Sequence, residues 1–135
     1  MDIIIYSQPD NPQKDILLKT LSEFIKPVPV MVFDFDGLFC QLRSRVSGSA
    51  IIILLISHEE ELEQLMEDRS RLFNTKCIVV LPENGDDLAM KGLALHPRYL
   101  GYADSDFSDI CQVLEKMMNK HRPSHKTGIW GFCGR

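Results

Sequence analysis

The chain has 135 residues, 44% of them hydrophobic and 25% charged, with a formal net charge of −4. That size holds one domain with a core of its own, and the composition is ordinary for a soluble globular protein. The charge is uneven: up to Met118 eleven Lys and Arg face all nineteen acids, a net of −8, while Asn119 to Arg135 carries four bases and no acid. A body this acidic argues against a nucleic-acid surface, which needs a basic face towards phosphate.

Met1 is followed directly by Asp2, with no basic n-region, and Ile3-Ile4-Ile5 is too short for a signal core. No apolar segment approaches membrane length, so a cytoplasmic protein without a membrane partner is expected. Cys40, Cys77, Cys111 and Cys133 show no CxxC or Cys/His metal spacing. Three of them sit inside apolar patterns, which predicts buried free thiols in a reducing compartment.

In chain order, Asp2 to Tyr6 reads as a short buried strand, and Ser7 to Pro12 is turn chemistry with two prolines and two Asx residues. Leu17, Leu18, Leu21, Phe24 and Ile25 follow helical spacing from about Gln13. Pro27 and Pro29 end that helix and lead into Val30 to Phe33, where prolines at the entrance suit an edge strand. Asp34-Phe35-Asp36-Gly37 reads as a loop, and Leu38, Phe39, Leu42 and Val46 as a short helix closed by Ser47-Gly48.

The run Ala50-Ile51-Ile52-Ile53-Leu54-Leu55-Ile56 then stands out as seven consecutive apolar residues. A β-branched run of that length predicts a strand buried on both faces, the centre of a parallel sheet. Ser57-His58-Glu59-Glu60 reads as a capping box with Ser57 as N-cap. It opens a helix through Leu62, Leu65, Met66, Arg69, Leu72 and Phe73, with acids on the opposite face. Cys77 to Leu81 is a fourth strand. Asn84-Gly85-Asp86-Asp87 opens a weak fourth helix, interrupted by Gly92 and ended by Pro97. Arg98 to Tyr102 is a poorer strand and a second sheet edge. Phe107, Ile110, Cys111, Leu114, Met117 and Met118 mark an amphipathic helix behind Asp106 as N-cap.

Strand and helix thus alternate five times. The expected fold is α/β: a three-layer α/β/α sandwich, (βα)5, with a parallel five-stranded sheet of flavodoxin-like order 2-1-3-4-5. Residues 1–120 form the domain and 121–135 a basic, Trp-containing tail.

Over residues 2–120 this element order, with Asp36-Gly37 before a short helix and then the central strand, resembles the receiver domain of bacterial response regulators. The resemblance implies a phosphorylated Asp at the end of the third strand, where this chain has Leu55-Ile56-Ser57. It implies a metal-holding acidic pair after the first strand, where Tyr6-Ser7-Gln8 stands. The switch Ser or Thr after strand four is replaced by Leu81-Pro82-Glu83, and the Lys-Pro after strand five by Tyr102-Ala103-Asp104. Without a carboxylate nucleophile or a metal, nothing accepts and stabilises a phosphoryl group. The resemblance therefore implies a pseudo-receiver that works by binding.

Val32-Phe33-Asp34-Phe35-Asp36-Gly37 also looks like the first motif of haloacid-dehalogenase-type phosphohydrolases. That likeness implies Asp34 as nucleophile, Asp36 as general acid/base and Mg²⁺ beside both. Leu38 departs from the family's Thr or Val, and the motif falls on an edge strand. Ser57-His58 is a poor nucleophile and base, since adjacent side chains point apart. His58 and His96 are expected on the surface at helix ends. The glycine-rich nucleotide fingerprints are absent.

The expected function is a non-catalytic regulatory or protein-interaction module without cofactor or metal. Its partner is another protein or a second copy, met through the fourth helix, fifth strand and fifth helix, with Tyr99, Tyr102 and Trp130 as candidate contact residues. The weak helix around Gly92 and the edge strand suit a movable or dimerising surface. The alternatives are the Mg²⁺-dependent phosphohydrolase using Asp34 and Asp36, and a small-ligand sensor at the strand carboxyl ends.

Overall fold

A computed structural model describes residues 2–24, 28–45, 50–72, 75–83, 85–103 and 107–121, with side chains through Met118. Five strands alternate with five helices: β1 Asp2–Tyr6, α1 Gln13–Phe24, β2 Val30–Val32, α2 Phe35–Arg43, β3 Ala50–Leu55, α3 Glu59–Glu67, β4 Lys76–Leu81, α4 Asp86–Leu93, β5 Tyr99–Tyr102 and α5 Ser108–His121. The strands form one parallel sheet in the order β2-β1-β3-β4-β5, a flavodoxin-like three-layer α/β fold.

All six residues of β3 are buried, and its register places Ile52 between Ile4 of β1 and Cys77 of β4. Burying each Ile or Leu contributes about 2 kcal/mol, so the strand richest in them takes the centre. Side chains alternate across the sheet. Ile4, Tyr6, Ile52, Leu54, Val79 and Leu81 face one layer, covered by Leu38 and Phe39 of α2 and Leu62 and Leu65 of α3. Ile3, Ile5, Ile51, Ile53, Ile78 and Val80 face the other, covered by Leu17 and Leu21 of α1 and Ile110, Cys111 and Leu114 of α5.

The helix starts differ from the sequence expectation at three places. α2 begins at Phe35 behind Asp34 as N-cap, so the helix expected after the Asp34 to Gly37 run starts inside it, with Asp36 and Gly37 in the first turn. The α3 cap sits one residue later, with His58 as N-cap and Glu61 three residues on. α5 begins at Ser108, and buried Phe107 stands just before it at φ 63, where its carbonyl accepts the Cys111 N–H. Ile25, Pro27, Val46, Ser47, Gly48, Phe73, Asn84, Asp106 and Cys133, each assigned a place from the sequence, lie outside the described residues.

The helix after β3 is also shorter than its pattern. α3 stops at Glu67, and Arg69–Leu72 form a 3-10 turn that carries Leu72 inward. The bonds Asp68 N–H to Leu65 and Arg71 N–H to Asp68 tighten the chain there. Gly92 does not interrupt α4. A Cβ at Gly92 would stand 2.9 Å from Leu100 Cδ1, so this glycine is where α4 closes onto β5. The helix ends at Leu93 with Ala94 as C-cap, and His96 at φ 54 takes the left-handed place often held by glycine, with Pro97 next. Cys77 and Cys111 are buried, but Cys40 is exposed. Leu38 and Phe39 take the inner face of α2, and the next residue turns about 100° away from it.

Among the described residues, no helix is long and apolar enough to cross a membrane.

Candidate functional site

Open parallel sheets bind ligands beyond the carboxyl ends of their strands, near the point where strand order reverses. Here that point lies between β1 and β3. Two clefts open along this edge. One, about 280 Å³, is lined by Tyr6 at the end of β1 and Gln8 beyond it, by Phe33 to Asp36 after β2, and by Glu61 and Gln64 of α3. The other, about 260 Å³, is lined by Asn11, Gln13, Ile56, Ser57, Pro82 and Ala103.

Between them lies a buried polar knot centred on Glu61, which is 4% exposed. Its Oε1 accepts from the Ser57 N–H, the Ser57 hydroxyl and the His58 N–H, each at 2.8 Å. Its Oε2 accepts from the Tyr6 hydroxyl at 2.5 Å. Four donors on one carboxylate leave it saturated. Burial, first of all, and then the Glu61 contact raise Tyr6 far above the ordinary tyrosine range, with Asp34 adding to the rise. Tyr6 therefore stays a donor at any physiological pH, and its ring stacks on Phe35 with centroids 4.7 Å apart. The knot ties the ends of β1 and β3 to the start of α3.

Asp34 is engaged locally. Its Oδ1 accepts the Gly37 N–H at 2.6 Å as the N-cap of α2. A Cβ on residue 37 would stand 2.9 Å from that oxygen, so the glycine in the Asp-x-Asp-Gly run gives the cap its space. Asp36 follows in the first turn, where a carboxylate complements the helix dipole. Both acids are exposed at the mouth of the first cleft. Among the described residues, no group of three or more His, Cys, Asp or Glu is arranged to hold a metal ion. Ser57 donates to Glu61, and His58 is exposed, as is His96.

Tyr99 and Tyr102 lie on the same edge strand but on opposite faces of the sheet. Tyr99 packs with the α1/α5 layer, and its hydroxyl donates to Asp109 Oδ2 at 2.5 Å. That bond, more than burial, pushes its pKa up to about 12. Tyr102 packs with the α2/α3/α4 layer. The two do not form one patch. Trp130 lies outside the described residues. On α4, Met90 and Leu93 are 71% and 56% exposed, one turn apart. Lys91 between them reaches Glu63 of α3 at 2.7 Å and also bonds Glu59, which ties α4 to α3.

Sequence reasoning missed Glu61 and Tyr6. A signal was present: Glu61 lies one turn before Leu65 on the inner face of α3, so it is a carboxylate in a core position. Asn11 was read only as turn chemistry. It is 6% exposed, and its Oδ1 accepts the Gln13 N–H at 2.9 Å, capping α1 just ahead of Pro12.

No protein-family model, curated protein or solved structure matches this chain.

Proposed function

We propose that this domain is a non-catalytic, receiver-like regulatory module of the cytoplasm that acts by binding another protein and does not accept a phosphoryl group in the usual way. One observation carries this reading. The carboxylate bonded to Ser57, just past the end of β3, is Glu61, which comes from α3, is buried, and receives four hydrogen bonds. A carboxylate buried and held by four hydrogen bonds lacks the access that attack on phosphorus needs.

The partner face is the side of α4 and β5. Met90 and Leu93 expose apolar surface on α4, and among the described residues β5 pairs with β4 alone, as an edge strand. Lys91, between these two residues, bonds Glu63 of α3.

Incubation with acetyl phosphate and Mg²⁺, read by intact mass, tests the first part. An unmodified mass is expected. A phosphoryl adduct that Asp34→Asn or Asp36→Asn abolishes would establish a phosphotransfer site and end this reading. For the second part, Met90→Glu with Leu93→Glu removes capture of the partner, or self-association in a sedimentation experiment, while leaving the fold intact. Unchanged association in that double variant places the contact elsewhere.

A further inference from the structure

The cleft beside Asp34 has a lining whose chemistry favours one class of ligand. Three of its side chains are carboxylates, those of Asp34, Asp36 and Glu61, and three are aromatic, those of Tyr6, Phe33 and Phe35. No Lys, Arg or His lines it among the described residues. Glu61 is internally satisfied, but Asp34 uses only Oδ1, and no cation pairs with Asp34 or Asp36 among the described residues. Elsewhere Asp2, Glu59 and Glu63 each meet a Lys or Arg. The starts of α2 and α3 each add a partial charge of about +0.5, which leaves the cleft at about −2.

The aromatic side of the lining is equally specific. Phe33 is 47% exposed beside the two acids, and Phe35 is backed by the Tyr6 ring at 4.7 Å. A ring face next to unpaired carboxylates attracts a weakly hydrated organic cation through its quadrupole and its charge together. A volume of about 280 Å³ admits such a group with its alkyl stem.

We infer that this cleft binds a guanidinium or alkylammonium group, clamped between Phe33 and Phe35 and neutralised by Asp34 and Asp36. The inference is independent of the α4/β5 face, so either can fail alone.

The test is an amide NMR titration of the full chain with agmatine, then with a blocked Gly-Arg-Gly peptide, and separately with Mg²⁺. Saturable shifts at Phe33, Asp34, Asp36, Gly37 and Gln64 with either organic cation are expected. If agmatine saturates the cleft, a free small cation suffices. If only the peptide does, the source is an arginine of another protein. Asp34→Asn with Asp36→Asn weakens binding about tenfold, as does Phe33→Ala, and added salt weakens it further. An asparagine still caps α2, and Phe33 is largely outside the core, so both variants fold. Absence of saturation with both organic probes overturns the proposal, as does saturation by Mg²⁺ alone, which would make the site a metal site.

Discussion

Two sets of carboxylates share one cleft and live under opposite conditions. Glu61 is buried and receives four hydrogen bonds, whereas Asp34 and Asp36 are exposed and unpaired with any cation among the described residues. The difference teaches that a carboxylate's role follows from its donors rather than from its place in a motif. The acid outside that run ties the ends of β1 and β3 to the start of α3. The two acids in the motif-like run are the ones free to meet a ligand. The largest expected effect in the molecule follows from the first half of that contrast. Glu61→Ala leaves the buried Tyr6 hydroxyl without an acceptor and removes the reciprocal bond at the start of α3, a loss of about 3 kcal/mol. Urea unfolding reads it directly as a lower midpoint at unchanged slope. A loss below about 1 kcal/mol would mean that water replaces Glu61 at no cost, and the contrast would collapse.

Tyr6→Phe is the next step down. It removes one of the four donors and keeps the ring stacked on Phe35, so about 1–2 kcal/mol is expected. Alkaline titration sharpens the same point. Tyr6 and Tyr99 both have pKa values raised in the folded state, Tyr99 to about 12 from an ordinary 10.0. Between those two values the unfolded chain has given up the Tyr99 proton and the folded chain has kept it. The stability that the Tyr99–Asp109 bond supplies is therefore full below pH 10 and is lost as pH rises through about 12. Phenolate absorbance should show Tyr99 ionising late and Tyr6 only with unfolding. In Tyr99→Phe the late step disappears. Early ionisation of Tyr6 in the folded protein would show that the Glu61 knot is open to solvent.

Much of the architecture was legible because it rests on periodicity. The run Ala50 to Leu55 has no polar residue, so burial on both faces and a central place in the sheet follow from hydrophobicity alone. The edges were legible from Pro29 ahead of β2 and from Gly101 and the polar flanks of β5. Helix starts were not, because a cap depends on which side chain turns back onto which N–H. Ser57 fits the cap pattern as well as His58 does. Only the inward position of Glu61 decides between them, and it bonds both residues. The site suffered from the same limit. Asp34 and Asp36 are legible as acids, but Gly37 as the space that a capping carboxylate needs is a matter of contact, not of spacing. The exposure of Phe33 and the lack of cations around the two acids among the described residues depend on long-range placement that no local pattern encodes.

The smallest expected effect is the most discriminating. Asp34→Asn keeps an oxygen for the Gly37 N–H, and asparagine is as good an N-cap as aspartate, so stability should change by less than about 0.5 kcal/mol. Asp34→Ala removes the cap and should cost about 1 kcal/mol. Asp36→Asn, exposed in the first turn, loses only a dipole contact of about 0.3–0.5 kcal/mol. A capping role for Asp34 and a locking role for Glu61 require a fixed order of stabilities. Asp34→Asn and Asp36→Asn both stay within about 0.5 kcal/mol of the unsubstituted chain, Asp34→Ala lies lower and Glu61→Ala lowest. If Asp34→Asn instead raised stability, two unpaired carboxylates would be repelling each other across the cleft mouth. That strain is what an organic cation would relieve, and adding agmatine to the unsubstituted chain should then raise its melting temperature while leaving the double variant, Asp34→Asn with Asp36→Asn, unmoved.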